Sequence, residues 1–296
     1  MQKEHLYIII SALLFGLITA GAQFFSNLGL SLYEISVLSF FMEVLILVPI
    51  VLIKKEYAIK RKMVPFFIVY GLIGSFLQFT QYGGIVLGVP VAIVALLLYN
   101  QPIWSIIFGK IMLKEKITKI KFIAVIISFL GVIILIQPWN IASVGPIQGI
   151  IFALLGGIFL SLWVVYGRKS GINNQHYVTT AAGYAIFSAI WLFLFWPAAS
   201  LFFHDLNIIR LNINILAKSW YYIFIFALAA HIIPHFFFYK GVQKIQASVA
   251  GIILLLEPIS ATILAAIFFA QSISLSTFFG GALILLSNYL IIHNKN

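Results

Sequence analysis

Apolar runs of about twenty residues, separated by short polar punctuation, fill this chain almost from end to end. They can be read at 6–26, 33–53, 64–84, 89–113, 121–138, 146–167, 177–203, 219–240, 245–269 and 273–292. A helix that crosses a bilayer needs about 20 apolar residues, since each residue rises about 1.5 Å and the hydrocarbon core is about 30 Å thick. Strands of a membrane barrel would alternate in polarity at every second residue, and these runs do not. The expected fold class is therefore an all-α integral membrane protein with ten transmembrane helices and no room for a soluble domain. Composition agrees: 8% of the 296 residues are charged, against about 25% in soluble proteins. Cysteine is absent, which excludes disulfides.

The net charge of +11 would suggest a nucleic-acid partner if it lay on one soluble face. Its distribution along the chain gives a different account. Lys3, the 54–62 cluster, Lys114 to Lys121, Arg168, Lys169, Lys240, Lys244 and Lys295 all fall on the side of the membrane that the two termini share. Only Arg210 and Lys218 fall on the other side, and Lys110 lies near a helix end from which it can snorkel. The positive-inside rule then expects a multi-pass protein of the cell (plasma) membrane with both termini cytoplasmic. Anionic inner-leaflet lipid is a secondary partner of those loops. Lys3, an apolar run and Ala20-Gly21-Ala22 superficially fit a signal peptide. The run is longer than such peptides use, and 9–16 matches 150–157 at six of eight positions, so the first helix reads as a retained repeat partner of the sixth.

A second internal match is longer. Sliding Val91–Ile136 onto Ala247–Ile292 without a gap lands Leu98 on Leu254, Pro102 on Pro258 and Phe122 on Phe278. The five lysines Lys110, Lys114, Lys116, Lys119 and Lys121 become Ala, Ala, Ser, Leu and Thr. Five helices per unit is an odd number, so the second copy must insert upside down and its equivalent loops must lose positive charge. The expectation is two inverted five-helix repeats, 1–140 and 146–296, joined by the breaker-rich turn around Gln137-Pro138 and Gly145-Pro146.

With Gln101-Pro102, the segment Leu113-Lys114-Glu115-Lys116-Ile117, Gly131-Val132, Phe238-Tyr239-Lys240-Gly241, Leu254 to Pro258 and Gly280-Gly281 in view, the chain resembles the drug/metabolite transporter superfamily, in particular its EamA-type members. The resemblance spans essentially the full length and implies ten helices around a central cavity. Two positions depart from the pattern. The acid common after the fourth helix is present as Glu115, but its second-half counterpart is Gln271. The Arg often found early in the second helix is missing where the sequence reads Ser39-Phe40-Phe41-Met42-Glu43.

Few residues could carry chemistry. Glu257-Pro258 falls mid-helix and aligns with Gln101-Pro102. Proline removes a backbone donor and clashes with the carbonyl four residues back, which frees the Leu254 and Leu98 carbonyls. In a membrane such broken helices belong beside a cavity or inside protein, and paired breaks near the midplane point to a transport site. Glu257 is accordingly the first candidate for substrate binding or coupling, because a mid-membrane carboxylate is costly without a role or a partner. Glu43 is the second mid-helix acid, with structural pairing to a His, Tyr or backbone group as the plain alternative. Glu34 and Glu56 read as solvated helix ends, and Glu115 as an ion-pair or capping residue. His231 and His235, four apart, share a helix face and could relay protons or bind substrate. No Cys or HExxH context makes them a metal site, and no cofactor is expected. Gln23, Gln78, Gln81, Tyr82, Tyr99 and Asn100, with Trp163, Tyr166 and Tyr239, form a polar and aromatic set that could line the same cavity.

These features predict a secondary-active transporter of small metabolites working by alternating access. No nucleotide-binding motif is present, so an ion or substrate gradient is the expected energy source, with protons as the candidate coupling partner. No Lys or Arg lies clearly mid-membrane, which disfavours anions and favours neutral, zwitterionic or cationic solutes such as amino acids or drugs. Export is implied by the resemblance alone. The alternative is a non-transport membrane protein, a lipid-flipping or assembly factor. An enzyme is not expected, since no nucleophile–base or metal constellation is visible.

Overall fold

The computed structural model describes residues 3–89, 91–140, 145–202, 209–212, 217–269 and 274–293. Gln271 lies outside them, as does the side chain of Gln23. Among the described residues the regular structure is entirely helical. The first half holds α1 (Lys3–Asn27), α2 (Leu32–Ile53), α3 (Val64–Val86), α4 (Val91–Leu98), α5 (Gln101–Leu113) and α6 (Lys119–Ile136). The second holds α7 (Ile147–Ile172), α8 (Tyr177–Phe202), α9 (Ala217–Phe226), α10 (Ile233–Val242), α11 (Ala247–Ile253), α12 (Glu257–Phe269) and α13 (Leu275–His293).

Three of the rods are interrupted. Helices α4 and α5 form one broken span, and α9 and α10 form another through a π-helical turn at Ala227–Ile232. Helices α11 and α12 form a third through a 3₁₀ turn at Leu254–Leu256. Nine spans among the described residues are long and apolar enough to cross a membrane. The tenth is α1, whose 25 residues reach roughly 37 Å at 1.5 Å per residue. Large apolar side chains such as Leu52, Ile111, Phe122, Leu201, Ile267 and Phe278 are exposed on the perimeter, as lipid contact requires.

The two halves interlock. Helix α1 packs against α10 and α12 of the second half, while α7 packs against α3, α4 and α5 of the first. Each half therefore lays its first helix between the third and fourth spans of the other. Helices α2 and α8 pair with each other, as do α6 and α13. Exchanging the halves reproduces these principal pairings, the arrangement of two inverted five-helix repeats.

The α6–α13 seam depends on two glycines. A Cβ on Gly131 would meet the Gly280 carbonyl oxygen at 2.8 Å, and a Cβ on Gly280 would meet the Gly131 oxygen at 2.5 Å. Such close backbone approach is the usual reason for small residues between membrane helices. Gly131→Val should force the helices apart and cost about 1–3 kcal/mol. It is expected to lower the melting temperature in detergent by several degrees. An unchanged melting curve would contradict the tight seam.

The loops bearing most of the lysines meet on one face, here called the basic face. Lys244 pairs with Glu4 at 3.5 Å, Arg168 donates to the Gln243 carbonyl, and Thr179 Oγ1 donates to Tyr57 O at 2.8 Å. On the opposite face Glu34 is not solvated as its place at a helix end suggests, being only 1% exposed. It accepts from Ser31 N at 2.7 Å and from Asn212 N at 2.8 Å, and it pairs with Arg210 at 3.2 Å. Ser31 returns the capping bond to Glu34 N at 3.0 Å, so one carboxylate starts α2 and ties it to a second-half loop.

Candidate functional site

Proline creates the site. Pro258, the second residue of α12, cannot donate a backbone hydrogen bond, and the span breaks just before it at Leu254–Leu256. Pro102 stands at the same place in α5, and its span breaks at Tyr99 and Asn100. The offset that aligns the sequence repeats also aligns the two breaks. The first half contributes a seam and the second a carboxylate. Glu257, 7% exposed, lines a small cavity that is partly open on one side.

The cavity wall is assembled from both halves. Helix α1 supplies Phe15 and Ile18, α3 supplies Leu77, Gln78 and Gln81, and α7 supplies Leu160 and Trp163. Tyr184 comes from α8, His231 from the π-turn, His235 from α10, and Leu254 from the 3₁₀ turn. Ile18 and Gln81, on the side toward the opposite face, are partly exposed, whereas Trp163, Tyr184, His235 and Leu254 are buried. The cavity therefore opens away from the basic face and closes toward it.

Its floor is a hydrogen-bonded aromatic layer. The Tyr70 hydroxyl donates to Trp163 O at 2.9 Å and lies 3.0 Å from Tyr239 Oη, which accepts from Trp163 Nε1 at 3.0 Å. The Trp163 ring stacks on Phe238 with centroids 3.9 Å apart. Tyr70, Phe238 and Tyr239 are all fully buried. Tyr239→Phe would leave the Trp163 N–H without an acceptor, at a cost of about 1–3 kcal/mol. A drop of several degrees in melting temperature is the expected result, and equal stability would show that the layer does not depend on this hydroxyl.

Beside Glu257 lies a second polar group. His235 Nδ1 is 2.6 Å from Glu43 Oε1, and Glu43 is fully buried on α2. Glu43 Oε2, His231 Nε2 and Gln78 Oε1 are buried without a hydrogen-bond partner. The His231 and His235 rings are 6.0 Å apart at their centroids. The π-turn widens the helix ahead of Pro234, whose carbonyl accepts from Ser11 Oγ at 2.9 Å, and so presents His231 to the cavity. No group of three His, Cys, Asp or Glu among the described residues is arranged to hold a metal.

Of the residues singled out from sequence, Glu257, His231, His235, Gln78, Gln81 and Trp163 line the cavity. Glu43 sits behind it as the partner of His235. Tyr82 and Tyr99 are buried within range of the Glu257 charge. Gln101 and Asn100 are turned elsewhere. Gln101 Nε2 donates to Ser105 Oγ at 2.6 Å, and Asn100 Nδ2 donates to Leu97 O at 2.5 Å and Leu154 O at 3.3 Å. Both brace the break in the first-half span. Phe15, Ile18, Leu160 and Tyr184 were not legible as wall residues. The small-residue run Thr179 to Gly183 before Tyr184 was the one local hint of close packing.

Comparison with known proteins agrees with this architecture. The model of the EamA-like transporter family matches residues 2–137 and 147–293. A protein of Archaeoglobus fulgidus described as an uncharacterized transporter is 27% identical over 240 residues, covering 80% of each chain. A Clostridium kluyveri protein of the same description is 22% identical over 300 residues, covering 98% of this chain and 93% of its own. A solved crystal structure superposes with a TM-score of 0.77 at 15% identity, over 98% of this chain and 97% of the other, a likeness of fold.

Proposed function

The chain belongs to the EamA-like transporter family, and on that premise we propose that it is a secondary-active transporter of small metabolites working by alternating access. In this reading the repeats 1–140 and 146–296 rock about the cavity, and the protein sits in the plasma membrane with both termini in the cytoplasm. It exports neutral, zwitterionic or cationic solutes in exchange for protons that Glu257 binds. The observation that carries the reading is the carboxylate of Glu257, 7% exposed and without a hydrogen-bond or ion-pair partner among the described residues, in a cavity built by both halves. A buried charge of this kind is costly to keep inside a membrane and is retained where it binds cargo or coupling ions. The cavity's opening away from the basic face is what one end state of such a cycle would look like. The charge distribution supports the orientation, and direction rests on family likeness.

A lipid-flipping protein would be expected to turn its acid toward the bilayer or lack one, and Glu257 faces the interior. The test is reconstitution into liposomes with a proton gradient, followed by uptake of labelled amino acids, amines and sugars. Gradient-dependent accumulation of at least one class is expected. Scrambling of labelled phospholipid with no solute flux would instead establish the lipid-handling alternative.

A further inference from the structure

Resting on that transport reading, we propose that the cavity takes a compact organic cation bearing a protonated primary or secondary amine. The ammonium sits against Glu257 and the apolar body lies along the wall that Phe15, Trp163 and Tyr184 form, toward the cavity mouth.

Charge balance is the first argument. No Lys or Arg lines the cavity, and no side chain among the described residues hydrogen-bonds or ion-pairs with the Glu257 carboxylate. The other buried acid nearby, Glu43, is engaged by His235 at 2.6 Å. The titratable groups facing Glu257 are therefore His231 and His235 from the span of α9 and α10, Tyr184 from α8, Tyr82 from α3 and Tyr99 from the first-half break. None is a fixed cation. An incoming ammonium supplies the missing counter-charge, whereas an incoming anion meets repulsion from the carboxylate.

Wall chemistry is the second argument. Trp163 and Tyr184 are buried aromatic faces with centroids 6.3 Å apart, and Phe15 stands 5.8 Å from Trp163. Such a wall packs against an apolar body, and its rings also attract a cation held at the adjoining carboxylate, most strongly Trp. The third argument separates amines from quaternary ammonium ions. Gln78 Oε1 is a buried acceptor with no donor, and His231 Nε2 is a second when its proton is on Nδ1. A quaternary ion has no N–H to give them, while a primary ammonium has three donors and can satisfy the carboxylate and an orphaned acceptor together. A neutral alcohol brings one donor and no charge.

Four probes sharing one ring test the proposal on the purified full-length protein: benzylammonium, benzyl alcohol, benzoate and benzyltrimethylammonium. Binding is read by calorimetric titration and thermal shift, and flux by liposome uptake of each labelled probe. Benzylammonium is expected to bind at least tenfold more tightly than the other three and to lose at least tenfold in Glu257→Gln. Equal binding of benzyl alcohol or benzoate by the wild type, or no benzylammonium binding, would overturn the cation assignment, and this arm needs no variant. Benzylammonium that binds but is not carried across the bilayer would support the assignment and overturn the transport reading. Benzoate carried in preference would do the reverse.

Discussion

Liposomes containing the Glu257→Gln protein are expected to lose proton-driven benzylammonium uptake by at least about 30-fold, the effect of removing about 2 kcal/mol of buried charge pairing. What protein-mediated uptake remains, measured above protein-free liposomes under the same gradient, should be indifferent to pH. Wild-type uptake should vary with pH because a protonated Glu257 no longer attracts a cation, and proton release is what lets the next cargo bind. The same substitution should leave the melting temperature unchanged or raise it. Glutamine has nearly the same shape, and no hydrogen bond or ion pair between the Glu257 side chain and a described residue is lost. Removing an uncompensated buried charge relieves a desolvation cost. The combination separates a functional carboxylate from a structural one. A kink-stabilising Glu257 would lose stability and transport together, and a variant that transports like the wild type at every pH would remove Glu257 from the coupling mechanism.

The fold was largely legible because the bilayer leaves few options: apolar length gives the spans, and the internal match gives the two repeats. The two proline breaks were legible too, since Pro102 and Pro258 act through local backbone chemistry. What escaped depends on contact between distant segments. The Glu34–Arg210 pair joins residues 176 positions apart, and Glu43–His235 joins residues 192 apart. The Ser31-x-x-Glu34 spacing marks a capping box, yet nothing local signals the pairing with Arg210 that buries Glu34. Phe15 and Tyr184 escaped for a related reason. In a soluble helix the inward face is marked by apolar periodicity, but a membrane helix is apolar toward both lipid and protein, so rotation about its axis is not encoded by hydropathy. Gln101 shows how repeat alignment can mislead. It occupies the position of Glu257, yet Ser105 one turn later accepts its amide at 2.6 Å and draws it into the seam.

Glu115→Ala is expected to open the protein toward the basic face. The Glu115 carboxylate is 8% exposed and crosses from the first half to the start of α11, where Oε1 accepts from Ala247 N at 2.5 Å. Its Oε2 accepts from Ser248 N at 3.1 Å and from Ser248 Oγ at 2.5 Å, with Lys121 Nζ at 3.9 Å. Gln246, the N-cap residue of α11, makes no side-chain cap, so a residue of the other repeat provides it. This is both the capping and the ion-pair role that its lysine-rich surroundings suggest. It also closes the basic face, because α5 and α11 meet directly beneath it. If the halves rock, the state open to that face must break these bonds. Charge-assisted hydrogen bonds contribute about 1.5–3 kcal/mol each, so losing them should shift the balance between the two states by at least about tenfold. The absence of native cysteine allows a clean readout. Ser105 is fully buried in the α5–α11 seam, within 3.2 Å of Ser161 Oγ. In a Ser105→Cys background, Glu115→Ala should raise labelling by a membrane-impermeant maleimide from the basic side at least tenfold, with Glu115→Gln intermediate. Labelling that stays at the background level while the melting temperature falls would reduce Glu115 to a helix cap and leave the basic-face closure to the aromatic layer of Tyr70, Trp163 and Tyr239.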